Sequence, residues 1–168
     1  MRKIISIFLM GILFSTMVGV CLAKSLDDNP IDNAFANDFK IAQNTVELNY
    51  VNEKYLNAWQ DELNNAAEIL KSKYKFKDDK ENIDKYLASY QDATKAAGKA
   101  EWLNWSDYNS PPDDRMFGTG AASASMAAEA KVYKQATCNL IDIIKGLSGE
   151  VEYKYLYSGK GAELDAVK

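Results

Sequence analysis

The chain predicts an all-α fold: an up-down bundle of three main helices, the first two long and antiparallel, with a short extended or irregular tail at the C-terminus. Three observations predict it. Apolar residues recur at helical spacing over long stretches, and the breaks between those stretches are short and marked by charge or proline. A period of two appears only near the end, where a single strand would have no ladder partner.

Residues 1–23 come first and read as a cleavable export signal. Arg2 and Lys3 form a basic start, Ile4 to Val20 is apolar, and Cys21-Leu22-Ala23 supplies small residues before a cut ahead of Lys24. A retained anchor is the competing reading. The run falls short of the roughly 20 residues that cross a bilayer and is broken by Ser6, Gly11, Ser15 and Gly19, so stable insertion is not expected once the signal is removed. A lipoprotein anchored through Cys21 is the minority option. The expected location is periplasmic or secreted.

Residues 24–33, polar and containing Pro30, read as a loose leader, with Asn33 as a candidate cap for the first helix. The helical domain is expected over 34–149. Its first stripe is Ile41, Leu48, Tyr55, Trp59, Ala66 and Leu70, which predicts one helix of roughly ten turns. The charged stretch Lys71 to Lys80 marks the first turn of the bundle. A second stripe runs through Ile83, Leu87, Tyr90, Thr94, Ala97, Trp105 and Tyr108, with Asp78 or Asp79 as caps and Pro111-Pro112 as the stop. Glu101 falls on this stripe and needs either a bend near Gly98 or a lysine or tyrosine from another helix. The third pattern, Met126, Ala130, Tyr133, Thr137, Leu140, Ile141 and Ile144, is capped by Thr119 or Ser123 and closed by Gly146 and Gly149. Its alanine- and serine-rich first half lets a neighbouring helix come close. Residues 150–168 form the tail, in which Val151, Tyr153, Tyr155 and Tyr157 alternate with Glu152, Lys154 and Leu156 before a frayed end.

Composition narrows the function. Without residues 1–23 the chain keeps 18 Lys and Arg against 24 Asp and Glu, a net charge of −6, which disfavours nucleic acid and anionic lipid and favours a basic partner. There is no histidine, which removes the commonest general base and the usual zinc ligand, so neither an enzyme, a metal site nor a cofactor is expected. Cys138 would be the sole cysteine of the exported chain, and burial is its expected state over a dimerising or redox thiol.

Paired Leu48-Asn49 and Leu63-Asn64 lie on a long helix. Later in the chain a tryptophan has a second aromatic three residues on, as Trp102 and Trp105 or as Trp105 and Tyr108; then come a Gly-Thr loop, a helix bearing Cys138, and Leu140. This order resembles the LprI-type family of exported lysozyme-inhibitor-like proteins over roughly residues 42–147. The resemblance implies a small exported helical domain whose partner is lysozyme. Members of that family carry further cysteines where this chain has Tyr50 and either Ser110 or Asp113, so the family's disulfide has no counterpart here.

The candidate partner-binding segment is Asp113, Asp114, Arg115, Met116, Phe117, Gly118 and Thr119, two large apolar side chains between paired acids and glycines. Either they form an exposed knob that enters a partner's cleft, or Met116 and Phe117 fold back and close the connection. Gly118-Thr119-Gly120 reads as an ordinary helix start more readily than as an anion site. Trp102, Trp105 and Tyr108 read as core, with sugar stacking as the other option. The leading expectation is a non-catalytic exported binding protein that inhibits lysozyme by placing this loop in its cleft. The alternative is a structural or assembly protein of the envelope that docks through its helices or through Tyr153 to Tyr157. A glycan hydrolase using an acid pair is third, and no carboxylate pair in the sequence nominates itself.

Overall fold

A computed structural model of the 168-residue chain describes residues 29–148 and 153–167. The export signal, Cys21, the leader as far as Asp28, Gly149 and Val151 lie outside the described residues. Among the described residues five α-helices occur in order: α1 (Pro30–Ile41), α2 (Thr45–Lys73), α3 (Lys77–Asn104), α4 (Ala121–Ser148) and α5 (Leu164–Val167), with a 3-10 turn at Pro112–Asp114. The all-α bundle is what the sequence predicts. Its main members α2, α3 and α4 run up, down and up, and no helix among the described residues is long and apolar enough to cross a membrane.

The first predicted helix is two helices, and residues 29–33, read as the end of a loose leader, are the cap and first turn of the earlier one. Asn29 caps α1 by accepting the Asp32 amide at 2.8 Å, and Pro30 stands at the first helical position, where its missing N–H costs nothing. Asn33 is therefore inside α1. The chain turns extended at Ala42, and α2 restarts with Asn44 accepting the Glu47 amide while Glu47 accepts the Gln43 amide. This local capping arrangement interrupts a stripe that apolar spacing alone reads as continuous. α1 folds back on α2, with Phe35 and Phe39 meeting the Tyr55 ring edge-on at 5.4 and 5.3 Å.

Of the three main helices, α4 is the common partner, packing along α2 and α3 far more extensively than those two pack together. Trp59 is accordingly buried, with the Lys134 ammonium of α4 5.9 Å from its ring centre. Ala58, Leu63, Ala66, Ala67 and Leu70 of α2 continue this core with Tyr133, Ala136, Leu140, Ile141 and Ile144 of α4. Where α3 meets the small-residue half of α4, Gly98 lies against Ser125 and Glu129, a close approach that a Cβ would obstruct. α3 stays helical through Gly98.

Other boundaries shift. The N-cap of α3 is Phe76, which offers no side-chain acceptor, and Asp78 and Asp79 sit within the first turn, where their charge favours the dipole instead. α3 ends at Asn104, before the prolines, so Trp105 and Tyr108 leave the stripe. At the start of α4 the Ala121 amide donates to the Gly118 carbonyl, and Ser123 lies inside the helix, its hydroxyl accepting from Asn52 at 2.7 Å. Gly146 is also within α4.

The tail is not frayed. It runs extended from Tyr153 and ends in α5, with Tyr153, Ala162 and Leu164 buried. Two buried carboxylates hold its backbone. Glu62 of α2 accepts the Leu156 and Tyr157 amides at 3.1 and 3.0 Å and the Tyr153 hydroxyl at 2.6 Å, while Asp38 of α1 accepts the Ala162 and Leu164 amides at 2.7 and 2.8 Å. A third carboxylate ties α1 to the bundle: Asp32 accepts from Tyr55 at 2.6 Å and pairs with Lys134 of α4. Burial acts to raise the Asp32 pKa, but the hydrogen bonds from Lys134, Tyr55 and Asn29 outweigh it and bring the group below its usual value.

Candidate functional site

The α3–α4 connection leaves Asn104 at the end of the bundle opposite the α2–α3 turn and returns at Ala121. It is a closed loop with its own hydrogen bonds. The Gly118 amide donates to the Trp105 carbonyl at 3.0 Å and the Asp107 amide to the Met116 carbonyl at 3.3 Å, so Ser106 and Phe117 pair as an isolated antiparallel bridge. At the tip Asp107 accepts the Ser110 hydroxyl at 2.8 Å and the Asn109 amide at 2.9 Å. These bonds favour the ionised form and draw the Asp107 pKa below its usual value, the serine hydroxyl foremost. Arg115 is half-buried because its Nε donates to the Ser110 carbonyl at 3.1 Å.

All seven sequence-predicted site residues fall in this loop. Asp113 and Asp114 are exposed on the 3-10 turn; Met116 is 81% exposed and Phe117 45%; Thr119 is exposed, and the Gly118 amide is taken by the loop. Gly118-Thr119-Gly120 is thus an ordinary helix start. The choice between knob and closure resolves into both, because Phe117 packs edge-on against Trp102 at 5.1 Å while keeping a free face.

Sequence reasoning missed what stands beside the loop. Trp102 and Trp105 are not core, and neither is Tyr108, which is 82% exposed; Leu103 is also exposed. Trp105 is held in place nonetheless. Its indole N–H donates to Glu101 at 3.2 Å, and Gly118 and Gly120 lie so close to the ring that a Cβ on Gly120 would stand 2.6 Å from it. Glu101, for which the sequence predicts either a bend near Gly98 or a lysine or tyrosine from another helix, is satisfied by this tryptophan and by Asn104. The detectable signal was the pair of prolines: helices end before such a pair, and the aromatics nearest it belong to the loop.

The result is an apolar surface of Trp102, Leu103, Trp105, Tyr108, Met116 and Phe117 in a segment whose charges are Glu101, Asp107, Asp113 and Asp114 against Arg115. Exposed large apolar side chains gathered in one segment and rimmed by charge are the kind of surface that marks interaction sites. Chemically the loop offers stacking faces, carboxylate acceptors and negative potential. Among the described residues no group of three or more His, Cys, Asp or Glu side chains is placed to hold a metal ion. Cys138 is buried on α4, and burial pushes its thiol up to about 11. Tyr153 to Tyr157, the other candidate docking segment, already has its Leu156 and Tyr157 amides bound to Glu62, so it presents no free strand edge there. No family model, curated protein or solved structure matches the chain.

Proposed function

We propose that the protein is a non-catalytic exported binding protein that docks its aromatic loop on a basic secreted protein, and that this partner is lysozyme. The observation that carries the reading is the ordered loop itself, which holds Trp105 and Phe117 with one face each packed and the other free, beside four carboxylates. Rigid, half-exposed aromatics lose little entropy on binding and are the side chains that most often dominate interface energy. The acidic surroundings speed encounter with a cationic protein and make it dependent on salt. Export rests on the pattern of residues 1–23, and lysozyme as partner rests on the resemblance to the LprI-type family.

A turbidity assay of cell-wall lysis tests this directly. Protein beginning at Lys24 is expected to slow lysis, and Phe117→Ala, correctly folded, to weaken inhibition by about 30-fold, as loss of a central aromatic anchor does. No inhibition of any lysozyme class at large molar excess would refute lysozyme as the partner. Unchanged inhibition by Phe117→Ala would refute the loop as the contact.

A further inference from the structure

We infer a second binding site, between α2 and the tail, that takes a short peptide with free termini. An open pocket of about 330 Å³ lies between α2 and the tail, floored by Phe35, Ala58, Leu156 and Tyr157. Its polar lining comes from Lys54, Asn57, Asp61 and Glu62 of α2 and Ser158 of the tail. An apolar floor with a few polar side chains on its rim is the usual composition of a small-ligand site.

The walls are fixed. Glu62 points inward and binds the amides of Leu156 and Tyr157, which sets the tail's position over the pocket. Gly161, at φ +85°, turns the chain at the far edge, where a Cβ would run into the Ala34 carbonyl and the Asp38 carboxylate. The rim, in contrast, is uncommitted. Lys54 makes only a cation–π contact with Tyr50, at 5.6 Å, and among the described residues Asn57, Asp61 and Ser158 have no side-chain hydrogen bond or ion pair.

Spacing and sign identify the ligand. Lys54 and Asp61 are seven residues apart on one face of α2, a rise of about 10 Å along the helix. An extended peptide of three residues spans about the same length, at roughly 3.4 Å per residue. Its carboxylate meets the Lys54 ammonium, its amino terminus meets the Asp61 carboxylate, and its middle side chain rests on Leu156 and Tyr157. The peptide therefore runs antiparallel to α2, with Asn57 placed to bond its central amide. A simple sugar carries neither complementary charge, and a nucleotide lacks the cationic end that Asp61 would meet.

The test is an NMR titration of the chain from Lys24 with trialanine, followed through the amides of Asn57, Ala58 and Leu156. Saturable shifts with a Kd near about 1 mM are expected. N-acetyl-trialanine and trialanine amide are each expected to bind about fivefold more weakly, as loss of one exposed charge pair would give. Lys54→Gln and Asp61→Asn, both at exposed positions, should reproduce these losses while leaving lysozyme inhibition through the loop unchanged. No saturable shift at about 10 mM peptide, or equal binding of free and blocked peptides, would overturn the inference, and neither result bears on the loop.

Discussion

Replacing Glu62 with glutamine should detach the tail, because every group facing this carboxylate is a donor. Oε1 accepts from the Tyr153 hydroxyl at 2.6 Å, Asn65 Nδ2 at 2.9 Å and the Leu156 amide at 3.1 Å; Oε2 accepts the Tyr157 amide at 3.0 Å. Glutamine is isosteric but turns one oxygen into an NH2. The less costly orientation aims that NH2 at Tyr157, where two donors meet. The loss combines one hydrogen bond to a charged acceptor with an unsatisfied main-chain N–H, about 2–3 kcal/mol in all. For a domain of this size that lowers Tm by roughly 10 °C. The effect should also be local, with faster hydrogen exchange at Leu156 and Tyr157 before exchange rises in α2 or α4. Calorimetry gives the first quantity and exchange-detected NMR the second. A Tm within about 1 °C of the parent, with tail amides still protected, would refute the view that the carboxylate holds the tail.

Asp32→Asn should cost about 2 kcal/mol at neutral pH by leaving Lys134 half-buried without its counter-charge. The native Asp32 pKa lies below its reference value of 3.8, so this stabilisation is fully present above 3.8 and is lost as pH falls through the lower native value; parent and variant denaturation curves should converge only in that acid range. A thiol raised from 9.0 to about 11 by burial carries about 100-fold less thiolate at neutral pH, so Cys138 should react with a disulfide reagent at least that much more slowly in the native protein than in denaturant. Equal rates would show the thiol to be accessible. Gly120→Ala places a Cβ 2.6 Å from the Trp105 ring and should displace the indole from Glu101, changing tryptophan fluorescence and weakening partner binding while the helical circular dichroism stays the same.

The long-range pattern of the fold was legible in the sequence because apolar spacing records it directly: Trp59, Leu63, Ala66 and Leu70, and on the last long helix Tyr133, Leu140, Ile141 and Ile144, are all core. Breaks that depend on a few hydrogen bonds were not. The restart at Asn44 leaves the stripe in phase, and its signals, Asn44 with Glu47 three residues later and Asn29 before Pro30, compete with nothing louder than polar residues on a polar face. Trp105 misled for a related reason. It continues the α3 stripe in number, yet the helix stops one residue earlier, and the ring is claimed by Glu101 and by two glycines that come more than ten positions later. The loop was found by composition, since paired acids, large apolar residues and glycines between two prolines and a helix have no use in a core. Its aromatic half required knowing where α3 ends.

The tail resolves a difficulty that its sequence raises. An alternating segment with no second strand leaves its amides without a ladder, and in an all-α protein no sheet is available to supply one. Carboxylates take that part here. Glu62 and Asp38 together accept four main-chain amides, at Leu156, Tyr157, Ala162 and Leu164, from helices the tail lies across. A buried carboxylate is costly unless its oxygens are filled, and an extended tail is unstable unless its amides are; each removes the other's penalty. The register is set by the buried side chains, because sliding the tail by one residue would carry Tyr153, Ala162 and Leu164 out of their buried places. The pairing of carboxylates with amides accounts for buried acids where a larger hydrophobe would pack as well, and it fixes the Leu156–Gly161 wall against which a ligand of α2 would rest.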